Sequence, residues 1–320
     1  MQKHPTILVT GCAGFIGSNF VKVFKERFPK SVIVGIDDLS TGRKELLDQT
    51  IPFHKGSVCD DRFVDGVFKK HRPEYVFHFA ARPSVPESVA HPAAATHANV
   101  TGTVMLLEKS RDYGVKRFIF SSSSSVYGDA KKLPTKEAEN GPDPVSPYAI
   151  QKYSDELFCK AASRLYGLDT VCLRYFNVFG PGQYGDSAYA NVISAWLTGM
   201  YFPKDKELFI EGNGTQSRDF CYVGNVADAN IMAMLSKKKC GGECFNIANG
   251  KRTTLLEVKD AIEKYSGKKL ALKKRPSRAG DVRHTHANIA KATQWLGYVP
   301  RTDFVTGLRQ TIAWFEARKK

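Results

Sequence analysis

Tyr148 and Lys152 stand four residues apart, just after Ser146-Pro147 and beyond the serine run Ser121 to Ser125. On a helix, positions i and i+4 share one face, so a phenol and an ammonium so placed can hold and release a proton together. The same spacing recurs at Tyr127/Lys131 and Tyr265/Lys269. There the tyrosines run into Gly128-Asp129 and Ser266-Gly267, turn signals that keep each pair off a common helix face. Only the 148/152 pair has helical surroundings: Ser146 as N-cap, Pro147 as first helical residue, helix formers through Tyr166 and a stop at Gly167.

The elements that must position this pair alternate in the first half of the chain. Strand-like runs at Ile7-Val9, Val32-Ile36, Tyr75-Phe79, Arg117-Ser121 and Thr170-Arg174 enclose helical stretches near 15–28, 60–71, 93–113 and 148–166. That order predicts an α/β fold, a doubly wound parallel sheet of Rossmann type with helices on both faces. After Phe179 the alternation loosens into a helical run around 188–200 and strand candidates at Leu208-Ile210 and Phe220-Val223. The expected division is 1–180 as dinucleotide-binding domain and 181–320 as a smaller α/β substrate-binding region, with segments near 220–248 returning to the sheet.

Thr10-Gly11-Cys12-Ala13-Gly14-Phe15-Ile16-Gly17 follows the first strand and opens the first helix. Glycines permit the tight turn and close backbone approach, and the helix N-terminus offers free N–H groups to a pyrophosphate. Asp37, 20 residues after Gly17, ends the second strand, where a carboxylate bonds a ribose 2′-hydroxyl and repels a 2′-phosphate. NAD is therefore expected over NADP, with Arg43 and Lys44 as the features that speak the other way. A literal G-x-G-x-x-G at Gly180 to Gly185 reads as a decoy, since Asp186 would stand where the phosphate-binding helix should begin.

Length and charge exclude little and orient the rest. At 320 residues the chain can bury a large core, and no apolar run approaches the ~20 residues of a membrane span. Seven scattered cysteines without C-x-x-C spacing argue against a disulfide framework or a zinc site, and fit a reduced, cytoplasmic protein. A formal charge of +15 raises nucleic-acid binding. The basic runs Lys237-Lys239, Lys268 to Arg275 and Arg318-Lys320 lack interleaved aromatics, however, and read as solvated faces and a tail.

With these features together the sequence resembles the extended short-chain dehydrogenase/reductases, and within them the NAD-dependent UDP-hexose 4-epimerases. The marks are Gly11-x-x-Gly14-x-x-Gly17, Asp37-Asp38-Leu-Ser-Thr-Gly42, His78-Phe-Ala-Ala81, Ser121 to Gly128, Ser146-Pro-Tyr148-x-x-x-Lys152, Leu173 to Gly180 and Ser217-Arg-Asp-Phe220. The resemblance implies a cofactor site that adds Asp38, Ser40, Thr41, Gly42, Ser57, Val58, Phe79, Ala80, Ala81 and Tyr175 to the loop glycines, Phe15, Ile16, Asp37, Tyr148 and Lys152. It also implies that Tyr148 removes the proton of the sugar 4-hydroxyl while hydride leaves C4, with Ser123 relaying the proton and Ser122 and Ser124 as alternatives. A free phenol has a pKa near ~10, so action near neutrality requires a drop of about 3 units, roughly 4 kcal/mol. Lys152, a cationic nicotinamide and a helix N-terminus are the expected sources.

Dehydratases and decarboxylases of that family carry an acid just before Val-Tyr-Gly, where this chain has Ser125, so epimerisation is the expected outcome. The resemblance places Ser84, Asn177, Asn191, Val192, Arg218, Arg278 and Asp281 on the UDP-sugar and Phe209 near the uracil. Thr285 corresponds to the gate beside the sugar's C2 substituent. A threonine there leaves room for an N-acetyl group, while Asn191 and Pro83 depart from the most acetyl-specific members. The expectation is a cytoplasmic enzyme on UDP-GlcNAc/UDP-GalNAc, with UDP-Glc/UDP-Gal as further substrates, in a homodimer built on the helices near 93–113 and 148–166. No metal is expected at His284 and His286. The alternatives are a nucleotide-sugar dehydratase or decarboxylase, a silent NAD sensor, and a nucleic-acid binder resting on charge alone.

Overall fold

The computed structural model describes residues 4–185, 191–203, 207–276 and 282–319. Its first half runs β1 (Thr6–Thr10), α1 (Phe15–Arg27), β2 (Val32–Asp37), β3 (Phe53–Lys55), α2 (Asp61–His71), β4 (Tyr75–His78), α3 (Val85–Ala90), α4 (Pro92–Thr96), α5 (Gly102–Asp112), β5 (Arg117–Ser123), α6 (Pro147–Tyr166) and β6 (Thr170–Tyr175). The second half adds β7 (Val178–Phe179), α7 (Val192–Tyr201), β8 (Leu208–Glu211), β9 (Ser217–Arg218), β10 (Cys221–Tyr222), α8 (Val223–Leu235), β11 (Glu243–Ile247), β12 (Thr253–Thr254), α9 (Leu255–Ser266), β13 (Leu272–Arg275), α10 (Ala290–Leu296) and α11 (Phe304–Arg318).

Seven strands form one parallel sheet in the order β11-β6-β5-β4-β1-β2-β3. Strand order reverses between β1 and β4, which opens a crevice beyond their carboxyl ends. Residues such as Leu8, Val9, Phe77, Ile119 and Phe120 are fully buried, as strands covered on both faces must be. All five strands and four helical stretches expected in the first half are present. β3 has too little apolar pattern to stand out in the sequence. β11 lies within the 220–248 stretch and pairs with β6.

Two local features bear on the site. The expected helix over 93–113 is interrupted by a π-turn at His97–Thr101. That turn brings the Asn99 side chain to the backbone of Arg82 (Oδ1 accepting from N at 2.7 Å) and to Gln151 (Nδ2 donating to Oε1 at 2.7 Å). α6 begins as its sequence dictates: Ser146 Oγ accepts from Ala149 N at 3.2 Å, Pro147 opens the helix, and Gly167 closes it at φ 71°. Beyond Phe179, two-stranded pairs (β7/β10, β9/β12, β8/β13) pack with α7, α9 and α11 around Phe179, Trp196, Phe220, Leu308 and Phe315.

Candidate active site

At the sheet's crevice the turn after β1 is set by steric necessity. Gly11 sits at φ 68°, and a Cβ there would lie 2.7 Å from the Ala80 nitrogen; one on Gly17 would lie 2.1 Å from the Gly11 carbonyl oxygen. Gly14 caps α1 without any side chain, so the first-turn N–H groups of Phe15, Ile16 and Gly17 are left for a ligand. Asp37 is buried at the end of β2, accepting from Ala13 N at 2.9 Å and Leu39 N at 2.8 Å. Burial raises its carboxyl and those two N–H groups oppose the rise. These groups fit a dinucleotide: an anion cradle of backbone amides and a carboxylate at ribose distance along the chain.

A cavity of about 780 Å³ runs from this loop to α6. Its walls include Gly11, Gly14, Phe15, Ile16, Gly17, Asp37, Asp38, Ser40, Thr41, Ser57, Val58, Phe79, Ala80, Ala81, Ser123, Tyr148, Lys152 and Tyr175. Gly42, also expected there, stands behind Asp37 instead, where a Cβ would come within 2.6 Å of its carboxylate.

The serine run is sorted by its neighbours. Ser121 Oγ meets Tyr175 Oη at 3.2 Å, and Ser122 Oγ donates to Glu156 Oε1 at 2.5 Å, so both hydroxyls are engaged away from Tyr148. Ser123 Oγ accepts from Ser125 N at 3.1 Å, which leaves its proton for the Tyr148 phenol it hydrogen-bonds. Lys152 is buried, donates to the Ser121 carbonyl at 2.9 Å and lies over the Phe120 ring at 4.7 Å. Burial pushes the Tyr148 phenol up to about 12, Ser123 pulling down and Asp155 pushing further up; burial also holds the Lys152 ammonium below its ordinary value. The protein's own residues therefore hold Tyr148 protonated, and the drop expected from Lys152 is not delivered by the chain alone. The other two tyrosine-lysine pairs dissolve: Tyr127 is buried against Asn246, and α9 ends at Ser266, one residue after Tyr265 and before Lys269.

A second cavity of about 660 Å³ adjoins the first, sharing Arg43, Asn177, Tyr184 and Asn191 in its walls. Val192, Phe209 and Arg218 line it, as expected of them, and so does Arg275, whose guanidinium lies 3.1 Å from the centre of the Phe209 ring. Asn177, at φ 29°, donates to Thr285 Oγ1 at 2.9 Å, an L-residue in a costly conformation at the junction of the cavities. Thr285 also accepts from Asp219 N at 3.1 Å and faces the first cavity. Ser84 is buried and caps α3 through Glu87 N at 2.9 Å, while Pro83 and Val85 form the wall beside it. Arg278, Asp281 and Asp186 lie outside the described residues.

Several wall residues escape sequence reasoning. Arg275 belongs to a basic run that reads as a solvated face, but parallel pairing of β13 with β8 carries it to Phe209. Other cations of those runs also meet partners: Lys268 over Tyr201 at 4.5 Å, Lys269 with Glu263 at 3.0 Å, Arg318 over Trp314 at 4.2 Å. Gly182, Gln183 and Tyr184, from the decoy glycine motif, line the cavity; Asn19 Nδ2 of α1 holds Pro181 O at 2.8 Å and Arg43 lies over the Tyr184 ring at 3.9 Å. His284 and His286 are tied to Ser217 Oγ (2.8 Å) and Gly250 O (3.2 Å). Among the described residues no cluster of three metal-ligating side chains is found, and no helix is long and apolar enough to cross a membrane.

A doubly wound sheet, an uncapped helix behind a glycine turn, and a tyrosine-lysine pair in the crevice define a Rossmann-type dinucleotide enzyme. Residues 7–248 match the model of the NAD dependent epimerase/dehydratase family. The fold is similar to a UDP-glucose 4-epimerase from Thermotoga maritima with UDP-glucose (38% identical, 98% of this chain and 100% of that one, TM-score 0.92). It is also similar to a UDP-N-acetylglucosamine 4-epimerase from Methanobrevibacter ruminantium in complex with UDP-N-acetylmuramic acid (36%, 99% and 100%, TM-score 0.91). A third likeness is to the UDP-glucose 4-epimerase of Thermus thermophilus complexed with NAD (32%, 97% and 99%, TM-score 0.88). The chain belongs to the NAD dependent epimerase/dehydratase family, and NAD is its cofactor.

Proposed function

We propose that the protein interconverts UDP-sugars that differ in configuration at C4, with UDP-GlcNAc/UDP-GalNAc as substrates and UDP-Glc/UDP-Gal as further ones. The observation that carries this reading is the meeting of Tyr148 and Ser123 in a cavity whose only carboxylates, among the described wall residues, are Asp37 and Asp38 on the cofactor side. Bound NAD supplies the hydride acceptor and a positive ring charge. Tyr148 takes the proton of the 4-hydroxyl through Ser123, whose hydroxyl is oriented by its bond from Ser125 N. Loss of water across C5 and C6 needs an acid near the sugar, and Ser125 stands at that point, so rotation of the 4-keto sugar and return of hydride and proton is the remaining course.

Arg218, Asn177, Asn191 and the Phe209/Arg275 pair are assigned to the nucleoside diphosphate, with Arg278 and Asp281 as further ligands. Forked cations and amides suit a diphosphate, and the ring-guanidinium pair suits a flat base. The dinucleotide-binding unit is assigned to 1–180, joined by α8 and β11, and the nucleotide-sugar region to the rest of 181–320. A homodimer through α5 and α6 is supported by Ile150, Leu157, Phe158 and Leu165, 44–73% exposed along one face of α6.

The test is incubation of purified protein with UDP-GlcNAc and, separately, UDP-Glc without added reductant, followed by chromatography and mass analysis. Isobaric 4-epimers are expected from both. A product lighter by one water would move the assignment to a dehydratase, and no product would leave a sensor.

A further inference from the structure

α6 presents a third inward group on the face of Tyr148 and Lys152, at the next turn: Asp155. It is fully buried, and neither carboxyl oxygen has a hydrogen-bond partner of good geometry. No ion pair joins it to Lys152, whose ammonium turns to the Ser121 carbonyl. An ionised carboxylate so placed would forgo hydration with only the unpaired charge of Lys152 in return.

The neighbouring hydrogen bonds bear on its state through a count of protons. Thr103 Oγ1, the hydroxyl that acts on Asp155, donates its one proton to Asn99 O at 2.6 Å. Its oxygen faces His78 Nε2 at 3.0 Å, and His78 Nδ1 faces Thr10 Oγ1 at 2.7 Å, whose oxygen accepts from Ala80 N at 3.2 Å. One assignment satisfies every contact: Thr10 donates to Nδ1, Nε2–H donates to Thr103, and Thr103 donates to Asn99. No proton of Thr103 remains for Asp155, so a bond between them requires the proton to sit on the carboxyl.

The titratable groups around it are Tyr148, Lys152, Glu156 and Cys159 from α6, His78 from β4, and Cys172 and Arg174 from β6. Glu156 is paired with Arg174 at 2.6 Å, and burial and the Lys152 charge keep His78 neutral. Lys152 and Asp155 are therefore the two groups whose charges are left to set each other.

We infer that Asp155 is a positioning residue that works as the neutral acid: uncharged, it leaves the Lys152 ammonium uncompensated beside Tyr148, and once ionised it cancels that ammonium and disfavours the phenolate. Ionisation is a simple loss of its proton to solvent. Burial pushes this carboxyl up to about 8 against the pulls of Lys152 and Thr103, and its charge raises the Tyr148 phenol, both in the sense required. The inference rests on Tyr148 as the base of the proposed reaction.

Two measurements on the NAD-loaded protein test it. The first is the pH dependence of kcat for wild type and Asp155→Asn with a UDP-sugar. Wild type should decline above about pH 8, and the variant's decline should move up by at least about one pH unit, so that relative to its own neutral rate it is roughly five-fold or more ahead at pH 9. A merely structural role would lower the variant at every pH and leave the shape alone; superimposable alkaline limbs overturn the inference. The second is infrared spectroscopy of wild type, which should show the carbonyl stretch of a protonated carboxyl at pH 6.5 that fades through about pH 8 and is missing in Asp155→Asn. Absence of that band overturns the inference even if the variant fails to fold. A band present in a protein that turns over no UDP-sugar sinks the epimerase reading and leaves the protonation assignment standing.

Discussion

The two sides of the cleft are built by different means. On the cofactor side, wall residues come from consecutive β-turn-α units, each positioned by the end of a buried strand: Gly11 after β1, Asp37 at the end of β2, Phe79 after β4, Ser123 at the end of β5. On the opposite side, Asn177, Phe209, Arg218, Arg275 and Thr285 come from segments far apart in sequence, joined through strand pairs of two to four residues and single bridges such as Ser217 with His284. A sheet built of local units holds reacting groups to a fixed place. A region assembled by long-range pairing holds contacts that can vary without disturbing the sheet.

The comparison can be broken by mutations on either side. Tyr148→Phe should leave NAD bound and cost about 10³-fold in kcat, because only the proton-bearing oxygen is lost; near-normal turnover would end the assignment. Arg275→Ala, across the cleft, should raise KM for the UDP-sugar about 2- to 5-fold with kcat held within about two-fold, the loss of one solvent-exposed cation-ring contact. A fall in kcat equal to that of the Tyr148 variant would erase the distinction between the sides. Thr285→Tyr should reduce kcat/KM for UDP-GlcNAc about ten-fold relative to UDP-Glc, read from the ratio of the two rates; an unchanged ratio would remove Thr285 as the gate.

The smallest effect concerns stability of the cofactor side. His78 is buried neutral, its folded value about 3 against an ordinary 6.5. The unfolded chain therefore binds the extra proton first, and stability is complete above about pH 6.5 and lost as pH falls, by about 1.4 kcal/mol per unit from this group. Denaturant titrations at pH 6.5 and 5.5 should show a loss of about 1 kcal/mol in wild type, since half of the unfolded imidazole is already protonated at the upper pH, and a smaller one in His78→Gln. Equal differences would detach His78 from the acid sensitivity.

Legibility followed the same division. The glycine turn, Asp37, the capped helix of Tyr148 and Lys152, and the five strands are readable because each depends on residues within a turn or two of itself: a cap, a φ above zero, a run of apolar side chains. Gly42 and Ser84 are expected in the walls and stand behind them, since a motif gives nearness in sequence and not the direction of a side chain. That Ser121 and Ser122 are held away by Tyr175 and Glu156 is visible only in the folded structure.

The sequence by itself determined the doubly wound sheet, the glycine turn and the helix that puts Tyr148 and Lys152 on one face, because local backbone preferences and strand periodicity are properties of short segments. Tertiary structure alone decided that Arg275 covers Phe209, that Tyr184 and Gly182 line the cofactor cleft, and that Asp155 lies beneath Lys152 without a partner. Each of those depends on residues distant in the chain, and the state of Asp155 on burial as well; neither solvent exclusion nor long-range register is encoded in any one segment.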